Sequence, residues 1–216
     1  MKFVKISTLW LGILFAVCSA SAQVTFLFHD GVSPLAPGST FDDESGSVMA
    51  TVGGITLTAE AFLDGVSNDT DFNTAGDGFG INATGTGDET QRFDNDLGIE
   101  SMVFSFDVAG VFDTLDLEFI EESENEGLLI FDGGTTYQLN TVTSTGASDA
   151  FNIGESFTAG QSITLTLSGS AAAGENFSLQ SITVSAVPEP STYAALAGIV
   201  ILGFAAYRRR NQKLAA

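Results

Sequence analysis

Short segments dominated by a period-two pattern of apolar and polar residues, separated by glycine- and aspartate-rich turns, limit what this chain can fold into. The runs are Ile55-Thr56-Leu57-Thr58-Ala59, Met102-Val103-Phe104-Ser105-Phe106, Leu115-Asp116-Leu117-Glu118-Phe119, Ile163-Thr164-Leu165-Thr166-Leu167 and Leu179-Gln180-Ser181-Ile182-Thr183-Val184. Each places one face in a core and one in water. Gly53-Gly54, Asp64-Gly65, Gly76-Asp77-Gly78, Asp132-Gly133-Gly134 and Gly174-Glu175-Asn176 supply the turns. No stretch between Gln23 and Val187 sustains a helical period. The pattern predicts an all-β domain over residues 23–186, a single antiparallel β-sandwich of jelly-roll-like type. Hairpins are expected at Val48–Leu57 and Leu128–Leu139, and Phe104, Phe106, Phe119, Phe131 and Phe177 are expected to fill the core. Glu121 to Glu126 reads as an exposed loop.

The two ends differ from this middle. Lys2 and Lys5 precede the apolar run Leu9–Val17, and Ala20-Ser21-Ala22 forms a small-x-small site ahead of Gln23. These features predict a secretory signal peptide over residues 1–22, cut between Ala22 and Gln23. Cys18 leaves with it, and Val17 is too large for the position before a lipidated cysteine. At the other end, Val187-Pro188-Glu189-Pro190-Ser191-Thr192 leads into an uncharged stretch ending at Tyr207, followed by Arg208, Arg209, Arg210 and Lys213. From Pro190 to Tyr207 a helix would reach about 27 Å at ~1.5 Å per residue, which predicts a transmembrane helix over 191–207. The arginine cluster is then a stop held on the cytoplasmic side.

This order of Pro-Glu-Pro, apolar helix and terminal arginines, over residues 187–211, closely resembles the PEP-CTERM sorting signal of bacterial exosortase substrates. The resemblance implies that an exosortase in the inner membrane recognises Pro188, Glu189 and Pro190 and cleaves near them. The ectodomain then passes through an inner-membrane intermediate to the cell envelope, surface or extracellular matrix. Independently, two prolines interrupt any helix and keep this segment extended and accessible. The blocks Gly78-Phe79-Gly80-Ile81, Arg92-Phe93-Asp94, Met102–Asp107 and Leu128–Gly133 are similar to ectodomains found ahead of such tails, which implies a sandwich and says little about chemistry.

Between Gln23 and Val187 lie 26 of the 27 acidic side chains and one base, Arg92, leaving this segment at −25 while the whole chain is at −20. A nucleic-acid binder needs clustered Lys and Arg to neutralise phosphate, so that class is excluded. Candidate Ca²⁺ ligands are Asp69, Asp71 and Asn73 in one acidic segment and Asp94 and Asp96 in another, because hard cations take carboxylate and amide oxygens. Neither segment completes an EF-hand, since Thr74 and Gly80 stand where its glycine and final glutamate belong. His29 is the one imidazole and the mature chain lacks cysteine, so no tetrahedral zinc set forms. His29 also lacks a Gly-x-Ser-x-Gly partner motif, and no catalytic motif is found.

The sequence therefore predicts a non-enzymatic, secreted structural or adhesive protein. Its partners are the secretion machinery, an exosortase, the inner membrane in passing and extracellular polysaccharide, the last through Ca²⁺ bridging. Two alternatives stay open: an extracellular glycan-active enzyme using a carboxylate pair, and a plain single-span membrane protein in which Pro-Glu-Pro is a stiff linker.

Overall fold

The computed structural model describes residues 23–28, 46–67, 70–75, 78–83, 92–95, 98–118, 127–139, 149–168, 176–187 and 190–214. The signal-peptide expectation over 1–22, with Ala20 and Ala22, and the loop expectation at 121–126 lie outside them. The chain divides into two compact units, Ala22–Ala186 and a second made of Met1–Ser21 with Val187–Ala216.

The first unit holds twelve strands among the described residues, in two antiparallel sheets. They are β1 (Gln23–Leu27), β2 (Ser47–Val52), β3 (Ile55–Leu63), β4 (Thr70–Ala75), β5 (Gly78–Ala83), β6 (Glu100–Phe106), β7 (Gly110–Glu118), β8 (Gly127–Phe131), β9 (Thr136–Leu139), β10 (Asp149–Phe157), β11 (Ile163–Leu167) and β12 (Ser178–Ala186). One sheet runs β10-β7-β12-β5-β4, with β1 also on β12; the other runs β2-β3-β6-β11-β8-β9. The hairpin of β2 and β3 closes through Gly53 and Gly54 at φ 59° and 84°, a left-handed pair that glycine adopts without steric cost. Gly133 at φ 69° turns β8 into β9 in the same way.

The buried faces of both sheets join in one hydrophobic core. Phenylalanine dominates it. Phe26 of β1 stands 5.8 Å from Phe106 of β6, and Phe112 of β7 meets Phe104, Phe106 and Phe131 at 6.1, 6.5 and 5.8 Å. These are tilted and edge-on contacts between sheets, the arrangements that ring quadrupoles favour. Phe104, Phe106, Phe131 and Phe177 are buried as expected; Phe119 lies outside the described residues.

The second unit contains helix α1, Pro190–Leu214. It covers the uncharged stretch and continues through Arg208, Arg209 and Arg210 to Leu214, but the expected transmembrane helix over 191–207 is not met. Among the described residues no helix is long and apolar enough to cross a membrane. The polar Ser191, Thr192 and Tyr193 open the helix, and its uninterrupted apolar run, Ala194–Ala206, covers only about 20 Å, short of a hydrocarbon core of ~30 Å.

Candidate functional site

The C-terminal segment grows out of a well-held strand. β12 pairs with β7 along nearly its whole length and with β1 from Ser181 to Ser185. Its last pairs set Ser185 opposite Val111 and Gln23, and Ala186 opposite Gly110. A Cβ on Gly110 would fall 2.6 Å from the Ser185 carbonyl oxygen and 2.7 Å from the Phe157 ring, so only glycine lets β7 approach the strand end this closely. Outside, the Ser185 hydroxyl and the Gln23 side-chain amide both donate to Asp113 Oδ2.

Val187 follows in an exposed, non-regular conformation. Pro188 and Glu189 lie outside the described residues, and Pro190 opens α1, where its fixed φ and missing N–H suit the first helical turn. On the helix Ile199, Ile201, Leu202, Phe204 and Tyr207 are all exposed, and so are Arg208, Arg209 and Arg210. Exposed apolar side chains thus precede three exposed cations along the helix.

The acidic candidates separate. Asp71 and Asn73 stand at alternate positions of β4, opposite Asn82 and Gly80, in a strand rather than a loop; Asp69 and Asp96 lie outside the described residues. Asp94 is buried, 2% exposed, and follows the bridge of Phe93 to Phe177. Its N–H donates to Glu100 Oε2 at 3.0 Å, and its carbonyl accepts the Glu100 N–H at 3.4 Å. Sequence reasoning gave no signal for Glu100, itself 1% exposed, because a strand-initial glutamate normally faces water. Among the described residues no three His, Cys, Asp or Glu gather as a metal set. Arg92 donates from Nη1 to Asn176 Oδ1 at 2.8 Å.

One further polar contact was not foreseen. The Tyr137 hydroxyl of β9 donates to Glu155 Oε2 of β10 at 2.8 Å, tying an edge strand of one sheet to an edge strand of the other. That hydrogen bond, then desolvation, then the carboxylate charge hold the Tyr137 hydroxyl's pKa above its ordinary 10.0.

Compared with known families, residues 186–210 match the model of the PEP-CTERM protein-sorting motif. No curated protein and no solved structure matches the chain. The match begins at the last residue of β12 and ends with the third arginine, so it covers the strand exit, Pro-Glu-Pro, the helix and its cationic end. The chain carries this motif, an exosortase recognises it, and the protein is exported to the cell envelope or extracellular space.

Proposed function

We propose that this chain is a secreted envelope or extracellular-matrix protein whose two-sheet domain, a jelly-roll-like sandwich, serves a structural or adhesive role and catalyses no reaction. The observation that carries the reading is the sorting motif at residues 186–210, beginning where β12 ends. Folded strand and processing signal adjoin with only Val187 before Pro188, so an enzyme cutting near Pro-Glu-Pro releases the whole domain and leaves the helix behind. The acidic domain would then meet matrix polysaccharide, through divalent ions where that polymer is acidic.

Intact mass of the protein from membrane and extracellular fractions, with and without a functional exosortase, tests this. The expected extracellular species starts at Gln23 and lacks everything beyond the Pro188–Pro190 region, and it disappears without the enzyme. Finding Arg208–Ala216 attached in every fraction overturns it.

A further inference from the structure

The outer face of the sheet β2-β3-β6-β11-β8-β9 has almost no charge. Among the described residues of its six strands, the carboxylates are Glu60 and Glu100, and Glu100 is turned into the core. The outward row instead crosses Glu60, Val103, Thr164, Ile130 and Thr136 in register, and its neighbour crosses Phe62, Ser101, Thr166, Leu128 and Gln138. Phe62, Val103, Leu128 and Ile130 are only partly buried, and Met49, beside Thr58 on β2, is 68% exposed. The strands of the opposite sheet carry Asp71, Asp113, Asp116, Glu118, Asp149 and Glu155. In a segment with a charge of −25, such a face is an anomaly: acids are common on this protein and nearly absent here.

We infer that the outer face of this sheet is where a second copy of the chain docks. Two equally acidic molecules repel at any approach that opposes carboxylates, and this is the face that opposes almost none. Apolar side chains interleaved with Ser and Thr hydroxyls suit a self-complementary contact, which can be dry at the centre and hydrogen-bonded around it. Six strands at ~4.8 Å and five residues at ~3.4 Å span about 29 by 17 Å, so a pair buries roughly 1,000 Å², the lower bound for a specific interface. An acidic partner of another kind would gain nothing from a neutral face, and a basic one would seek the opposite sheet.

Sedimentation equilibrium of the protein as recovered from its producing cell, in NaCl without divalent ions, tests the inference. Association should strengthen as salt screens the remaining charge. Thr164→Glu, at the centre of the face, should weaken it at least tenfold, whereas Asn152→Glu on the exposed edge strand β10 should not. Glu60→Gln, which removes the one outward carboxylate, should tighten it severalfold. Far-UV melts establish that each variant is folded, and Thr58→Glu on exposed β3 replaces Thr164→Glu if that variant unfolds. A protein monomeric at about 0.1 mM in 0.5 M salt overturns the inference. So does equal weakening by Thr164→Glu and Asn152→Glu, and so does association that neither substitution weakens.

Discussion

Single residues decide where this fold is intolerant. Gly110 has no room for a methyl group, because the atom it would meet is the Ser185 backbone oxygen, which cannot rotate away. Gly110→Ala should therefore cost about 1–3 kcal/mol by overpacking, read as a melting temperature lower by ~3–10 °C. A melt within a degree of the wild type would show that β7 and β12 can separate freely at that end. The Tyr137–Glu155 contact acts through protonation. Folding raises the hydroxyl's pKa above 10.0, so the contact's contribution is complete below pH 10 and is lost as pH rises through the folded value. Denaturant midpoints should accordingly fall beyond pH 10 in the wild type and fall less in Tyr137→Phe; parallel curves would show that the Tyr137–Glu155 contact contributes nothing. Neither feature is visible in sequence, where Gly110 looks like one more turn glycine and Tyr137 and Glu155 are separate strand residues.

At the scale of elements, the period-two pattern located strands without fixing, in every one of them, which residues face inward. β3, β6 and β11 show the plain in-out burial their sequences announce. β12 does not. Ile182, Thr183 and Val184 are all buried, because bulges against β7 at Leu179/Ser181 and Thr183/Val184 shift which side faces inward. β10 carries an irregularity of its own between Asn152 and Glu155, with Gly154 at φ 68°. β1 is not among the runs that mark the other strands in the sequence, yet it covers the edge of β12 from Ser181 to Ser185 and inserts Phe26, 0% exposed, against Phe106. Phe26→Ala should cost about 3–5 kcal/mol and raise amide exchange in β12 at residues 181–185 above that in β7. Uniform acceleration across both sheets would mean that β1 is an ordinary part of the core rather than a cover for the strand that feeds the sorting motif. The helix was legible as a segment and misread as a span, since an uncharged stretch is not the same as an apolar one.

For the whole molecule, charge is the property the sequence states most plainly and the fold distributes most unevenly. All bases except Arg92 lie in the two ends, so processing that removes both ends leaves a domain more acidic than the −20 chain that is synthesised. A compact body at −25 works against its own repulsion, and that repulsion weakens as the screening length falls from ~30 Å at 0.01 M to ~8 Å at 0.15 M salt. The melting temperature in NaCl should therefore rise by several degrees over that range and then level off. Hydrophobic strengthening by salt would instead continue to climb through 1 M and would be larger in sulfate than in chloride. A flat response from 0.01 to 0.15 M would show that the carboxylates are already spread widely enough to ignore one another. The near-neutral sheet would then need a reason other than repulsion for its lack of acid.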